Sequence, residues 1–252
     1  LRRLGGECDP ALLNAELLLY FQPQVKRDGA AKGAEALVRW VHPSRGILTP
    51  YAFIDILENA GLIYKLDLYI WEKAAQKLAE WKEKGYGSYH ISVNISTKDF
   101  YIIDIYETFT GLINKYGIAA SNLHLEITET TLMTDFEKNM NIIHKLQGVG
   151  FRVEIDDFGS GYSSLNMLKD ISADVLKIDM GFLRKSENEV KGQDILESII
   201  TLAGKIGMDV ITEGVETKKQ LDMLTMMGCH EFQGYYFSKP VPVSEFEEKY
   251  LV

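Results

Sequence analysis

Val153-Glu-Ile-Asp-Asp-Phe-Gly-Ser-Gly-Tyr-Ser-Ser-Leu165 is the stretch on which the reading of this chain turns. Phe151, Val153 and Ile155 alternate with Arg152 and Glu154, the period of a strand. The strand delivers two adjacent carboxylates, Asp156 and Asp157, into a loop of Gly and Ser. A helix-like segment starts near Ser163 or Ser164. Adjacent strand residues point to opposite faces, so the pair reaches a common ligand only where the strand ends and the pleat relaxes. Two carboxylates held that close repel unless a cation or a proton lies between them. A divalent metal is the obvious cation. The plainer reading is a loop-starting Asp157 beside a solvated strand end at Asp156, and the other acids of the chain change the balance.

Working outward, the same strand-then-helix unit recurs. Strands are expected at Glu16 to Val25, with the apolar run ending at Gln22-Pro23, and at Gly33 to Val41, where Glu35 and Arg39 share one face. Helices follow at Pro50 to Ala60, stopped by Gly61, and at Ile63 to Lys84. Tyr89 to Ile95 reads as a strand, Ile103 to Tyr116 as a helix, and Leu123 to Ile127 as a strand. Thr134-Asp-Phe-Glu137 has the form of a capping box opening a helix to about Leu146. Beyond the paired aspartates come a strand at Ala173 to Ile178, a helix at Asp194 to Ile206 and a strand at Met208 to Thr212. A second capping box, Thr217-Lys-Lys-Gln220, opens a helix to Met226, and a last strand spans Glu231 to Phe237. About eight strands alternating with helices in 252 residues is the arithmetic of a (β/α)8 barrel. The alternative is an open doubly wound sheet, which usually carries an early Gly-rich phosphate fingerprint; this chain has none.

Composition bounds the partners. The chain is 46% hydrophobic and 25% charged, an ordinary globular balance, and no apolar run approaches the roughly 20 residues of a membrane span. A net charge of −9 argues against duplex nucleic acid as the main partner. Cys8 and Cys229 alone make a disulfide framework or a cysteine metal site unexpected and fit a reducing compartment. The expected location is therefore cytoplasmic, or the cytoplasmic face of a membrane-anchored parent. The N-terminus lacks the apolar core of a signal peptide, and the start at Leu1 without Met reads as a piece of a longer chain.

The chemistry collects at strand ends: Asn94, Glu126, Asp156, Asp157, Lys177, Glu213 and Gln233, joined by Glu35. In a barrel these ends converge on one mouth. Each has a plainer reading, such as Lys177 pairing with Asp179, yet acids buried together at strand ends are costly without compensation. Carboxylates and an amide oxygen are hard donors that suit Mg²⁺ or Mn²⁺. The five histidines show no ligand spacing, and His90 and His124 read as structural. Metal-assisted hydrolysis of a phosphate ester is the reaction class these residues suggest, with Arg39 as a phosphate fork.

At this point the motifs resemble those of the bacterial EAL-domain cyclic di-GMP phosphodiesterases. The likeness runs in order through Gln22-Pro23, Glu35-Ala36-Leu37, Ser92-Val-Asn94-Ile-Ser96, Leu125-Glu126-Ile-Thr-Glu129 and Asp156 to Leu165. It continues through Leu176-Lys177-Ile-Asp179, Glu213-Gly-Val-Glu216 and Gln233 to Pro240, covering about Glu16 to Pro242. The resemblance implies one domain over residues 1–252, a modified barrel whose first strand is antiparallel, and hydrolysis of cyclic di-GMP to linear pGpG with one or two Mg²⁺ or Mn²⁺ ions. By motif position it implies Glu35, Asn94, Glu126, Asp156 and Asp157 as metal ligands. Lys177 would position water, Glu213 would assist as a base, and Gln22, Arg39 and Gln233 would contact substrate. It implies that Glu129 anchors the loop after Asp157, a homodimer, and sensor or GGDEF domains upstream in a full-length protein. Phe21, Ser160 and Thr212 depart from the usual Tyr, Thr and Ala; the Thr212 hydroxyl is new beside Glu213.

Three functions follow: an enzyme, a non-catalytic dinucleotide receptor, and a partner-binding scaffold. Degenerate relatives that only bind typically lose metal ligands or the loop after the aspartates, whereas every such position is filled here. A scaffold makes the carboxylate set unnecessary. The enzyme is the favoured reading.

Overall fold

The computed structural model describes residues 6–8, 11, 16–159, 171–181 and 189–251. Its strands are β1 (Leu17–Lys26), β2 (Ala31–His42), β3 (Gly46–Leu48), β4 (His90–Ile95) and β5 (Leu123–Thr128), followed by β6 (Val153–Phe158), β7 (Val175–Asp179), β8 (Asp209–Glu213), β9 (Glu231–Phe232) and β10 (Val241–Pro242). β2, β4, β5, β6, β7, β8 and β9 run parallel in that order, and β1 closes the ring antiparallel to both β2 and β9. β3 and β10 lie outside the ring as short antiparallel additions to β2 and β1. The eight-stranded barrel with an antiparallel first strand is the expected one, and the open sheet is excluded by closure through β1.

Strand alternation sorts the barrel into an apolar outside and a polar inside. Ile91, Val93 and Ile95 on β4, Leu123, Leu125 and Ile127 on β5, and Val153 and Ile155 on β6 are buried on the outer face. The helices that cover that face include Ile63–Glu83, whose Trp71 and Trp81 are fully buried. The intervening residues His90, Ser92, Asn94, His124, Glu126, Glu154 and Asp156 share the opposite parity and point inward. In most such barrels the inside is a packed layer of branched apolar side chains; here it is a polar shaft, and the hydrophobic stabilisation resides between strands and helices.

The strand expected at Glu16 to Val25 forms as β1, which runs through Pro23 to Lys26 because Pro23 pairs with β2 while its other edge meets β10 only at Tyr20 and Phe21 and β9 only at Val25 and Lys26. Pro23 sits in the gap between those pairings, a position a strand proline tolerates. Thr134 does not cap the helix Phe136–Val149; it ends the preceding helix Glu129–Thr134, and its hydroxyl donates to Thr130 O at 2.9 Å. The Thr217–Gln220 capping box forms as expected. Pro50–Ala52 is a 3₁₀ turn ahead of the helix Ile54–Ala60, which Gly61 ends at φ 68°. The last barrel strand is two residues long rather than seven. At Gly234 the chain turns against Val215, where a Cβ would lie 2.2 Å from Val215 O. The C-terminal helix Val243–Tyr250 was not anticipated; its Phe246 stacks on Trp81 and meets Phe21 edge-on, covering the outside of β1.

Candidate active site

The parallel strands deliver their C-terminal residues to one mouth, and Lys177 of β7 stands at its centre. The Lys177 ammonium is fully buried. It lies 2.7 Å from Glu213 Oε1, 2.9 Å from Glu126 Oε1, 3.4 Å from Asp156 Oδ1 and 3.7 Å from Glu35 Oε2. One cation therefore faces four carboxylates from β2, β5, β6 and β8. Asn94 donates to Glu35 Oε1 at 3.1 Å. Gln233 donates to Glu35 Oε2 at 2.5 Å and to Gln22 Oε1 at 3.2 Å, and Gln22 donates onward to Ser238 O at 3.3 Å. This places Gln22, Glu35, Asn94, Glu126, Asp156, Lys177, Glu213 and Gln233 in one connected group. The plainer pairing of Lys177 with Asp179 does not form; Asp179 accepts from the Gly181 amide instead.

The charge balance of this group is unfavourable without a further cation. Burial pushes Glu126 well above the usual carboxylate range, the charge of Glu35 adds to this, and Lys177 only partly offsets it. Glu213 is pushed up to about 8 by burial, with Lys177 opposing and Asp156 and Glu35 reinforcing. Burial alone would lower Lys177, but Asp156, Glu126, Glu213 and Glu35 together hold it well above its ordinary value. The short Lys177 contacts are not aligned as hydrogen bonds. Both oxygens of Glu126, Asp156 Oδ1 and Glu213 Oε1 are buried without a hydrogen-bond partner. Orphaned carboxylate oxygens facing one space are what a divalent ion would satisfy, and the all-oxygen set fits Mg²⁺ or Mn²⁺.

Asp156 and Asp157 reach the mouth by a device the sequence did not suggest. β6 does not end at the pair; it runs on to Phe158. The register with β7 steps from Ile155 opposite Leu176 to Phe158 opposite Ile178, so β6 carries one extra residue. Asp157 takes φ 57°, and among the described residues it is the one non-glycine at positive φ. A bulge thus re-aims one of two neighbouring side chains. Burial raises Asp157, and the Asp156 and Asp179 charges add to it. Asp157 makes no ion pair with Lys177 among the described contacts. Arg39 also stands apart from the carboxylates: it donates to Val38 O at 2.8 Å with its guanidinium 5.4 Å from the Tyr20 ring centre.

Glu129 was expected in a loop and instead opens a short helix, where Thr128 is the N-cap and accepts from the Thr131 amide at 3.3 Å. An acid in a first turn suits the positive end of the helix. The loop it was expected to anchor, and the helix expected from Ser163 or Ser164, lie outside the described residues. The Thr212 hydroxyl faces away from the mouth, 3.5 Å from Cys229 Sγ.

The EAL domain family matches residues 7–240. The chain belongs to the EAL domain family. The bifunctional diguanylate cyclase/cyclic di-GMP phosphodiesterase MucR of Pseudomonas aeruginosa is 34% identical over 236 residues, which are 93% of this chain and 34% of that protein. The cyclic di-GMP phosphodiesterase PdeR of Escherichia coli is 33% identical over 240 residues, 95% of this chain and 36% of that protein. The chain thus spans about a third of the length of these relatives. The solved structure of the MucR phosphodiesterase in complex with c-di-GMP superposes with a TM-score of 0.91 at 33% identity, covering 97% of this chain and 99% of that one. As an EAL domain, the chain carries its Glu35-Ala36-Leu37 signature on β2, with Glu35 turned inward to Asn94 and Gln233.

One cluster escaped the sequence reading. His90, His124 and Glu154, on three successive strands, meet inside the barrel below the mouth. The signal was present in parity: His124 lies two residues before Glu126, and Glu154 two before Asp156.

Proposed function

We propose that this EAL domain is a metal-dependent phosphodiesterase that opens cyclic di-GMP to linear pGpG. One observation supports the reading: Lys177 is buried among four carboxylates, and oxygens of three of them, Glu126, Asp156 and Glu213, have no hydrogen-bond partner. Glu35, Asn94, Glu126 and Asp156 would hold a divalent ion, with Asp157 on the bulge available to a second. Mg²⁺ or Mn²⁺ bound there supplies Lewis acidity and neutralises charge on the phosphate. Lys177 orients the attacking water by donating a hydrogen bond to its oxygen. Glu213, beside Lys177, is the carboxylate placed to accept the proton of that water. Water adds to phosphorus and gives its proton to Glu213, one P–O3′ bond breaks with its electron pair going to O3′, which takes up a proton from solvent, and the product carries a 5′-phosphate and a free 3′-hydroxyl. Gln22 and Gln233 present amides to the substrate, and Arg39 presents its fork of donors once it leaves Val38 O.

The homodimer and an upstream sensor or GGDEF module belong to the same reading. Support for the module is that MucR, whose name includes a cyclase, is about a third covered by this chain. Among the described residues no helix is long and apolar enough to cross a membrane, and the location proposed for this domain is the cytoplasm. A non-catalytic receptor is the second reading; the filled ligand positions weigh against it. Calorimetric titration of Mg²⁺ into the chain and into Glu35→Ala and Asp156→Ala variants tests the assignment. Both substitutions are expected to remove metal binding and turnover together. Unchanged Mg²⁺ affinity in either folded variant would overturn the ligand assignment.

A further inference from the structure

The end of the barrel opposite the mouth holds a second group of ligating side chains. His90 and His124 stack ring on ring with centroids 3.9 Å apart and planes within 4°. His124 Nδ1 lies 2.6 Å from Glu154 Oε1, and its Nε2 lies 3.2 Å from Ser121 O. His90 Nε2 lies 2.7 Å from Gln24 Oε1, and Ser92 donates to Glu154 Oε1 at 3.2 Å. Donor atoms of His90, His124 and Glu154 lie within 4.8 Å of one another. Glu154 is fully buried, and its Oε2 has no hydrogen-bond partner. Gly33 clears the space for His90: a Cβ at position 33 would fall 2.5 Å from the imidazole. A cavity of about 570 Å³, lined also by Lys32, Arg152 and Asp209, opens this group to the underside of the barrel.

We propose that this lower group is a second cation site, for Zn²⁺ or a neighbouring late transition ion. Two imidazoles and a carboxylate are a borderline donor set that favours such ions over Mg²⁺, and the Gln24 carbonyl oxygen lies beside His90 as a fourth donor. The site is chemically distinct from the mouth, where the donors are oxygens. Loading proceeds by exchange. The ion takes the place of the contact between His124 Nδ1 and Glu154 Oε1, and hydrogen on that nitrogen leaves to solvent as the ion enters. Stacked rings aim their in-plane lone pairs in parallel, so His90 turns about its Cβ–Cγ bond, exchanging the Gln24 contact for the ion. The orphaned Glu154 Oε2 then acquires a partner, and β4, β5 and β6 are joined at their N-terminal ends.

Zn²⁺ titration of the whole chain in excess Mg²⁺, with X-ray absorption at the zinc edge, tests this. One Zn²⁺ per chain with two imidazoles and oxygen in its first shell is expected, together with a rise in melting temperature. His90→Ala is expected to weaken Zn²⁺ binding by about 100-fold or more, the upper range for losing a supporting group, while the Mg²⁺ titration stays unchanged. A first shell without imidazole, or no Zn²⁺ retained in excess Mg²⁺, would overturn the proposal and leave the group as a hydrogen-bonded pair. The absorption measurement needs no variant, so a substitution that prevents folding does not decide the outcome.

Discussion

Lys177 is the residue on which the upper site depends. A buried cation among four carboxylates is held by charges that would repel one another if it left, and breaking such a network from one side costs about 3–5 kcal/mol. Lys177→Met is therefore expected to destabilise the metal-free protein and to lower kcat by roughly 10²–10⁴-fold, the span of positioned proton-transfer groups. It should leave Mg²⁺ binding in place, because the orphaned oxygens belong to Glu126, Asp156 and Glu213. Calorimetry beside kinetics checks this, and a folded Lys177→Met protein that no longer binds Mg²⁺ would reverse the roles. At this scale the sequence was informative about identity and silent about partnership. Glu126, Asp156 and Glu213 were legible at strand ends and Glu35 on one face of the second strand. That one lysine serves Glu35, Glu126, Asp156 and Glu213 at once was not, because strand ends converge only through the closure of the ring. Spacing along the chain makes His90 and His124 look structural, while their meeting with Glu154 runs across strands.

The bulge in β6 is the element that turns adjacent aspartates into neighbours in one mouth. A left-handed backbone at an L-residue costs roughly 1–2 kcal/mol, and Asp tolerates it better than most. Asp157→Gly is expected to match or exceed the parent in stability, whereas Asp157→Ala falls below Asp157→Gly by about 1 kcal/mol. Both should raise the Mg²⁺ needed for half-maximal turnover if Asp157 serves a second ion. Denaturant unfolding in EDTA separates the backbone effect from the ligand effect; equal stability of the Ala and Gly variants would remove the strain argument. The two capping-box patterns mark what local sequence can and cannot say about elements. Thr217 and Thr134 have the same spacing to Gln220 and Glu137, yet Thr134 was already committed to the end of a preceding helix. Pattern reading saw the start signal and missed the helix that overrode it.

Across the whole molecule, the strand-and-helix count was enough for the barrel, and the motif order for its antiparallel first strand. The polar shaft was less legible, because alternating strands usually place their polar face in water and here that face turns inward. Its charge also links stability to pH. Glu213 is held at about 8, above its ordinary 4.5, so between those values the native protein binds more protons than the unfolded chain. Stability of the metal-free protein is then expected to fall as pH rises through that window, with Glu126 acting in the same sense. Mg²⁺ competes with those protons, so the melting-temperature gain from Mg²⁺ should grow from pH 5 to about 8, and grow less steeply in Glu213→Gln, where Glu126 still titrates in the same sense. A gain independent of pH in calorimetric scans would dissociate Glu213 from the metal. The most direct measurement of the proposed function is chromatographic: incubate the chain with cyclic di-GMP and Mg²⁺ and separate the nucleotides over time. Conversion to pGpG, stopped by excess EDTA and by Glu35→Ala, is the expected result. Cyclic di-GMP recovered intact from a protein that binds both it and Mg²⁺ would contradict hydrolysis and make this EAL domain a receptor.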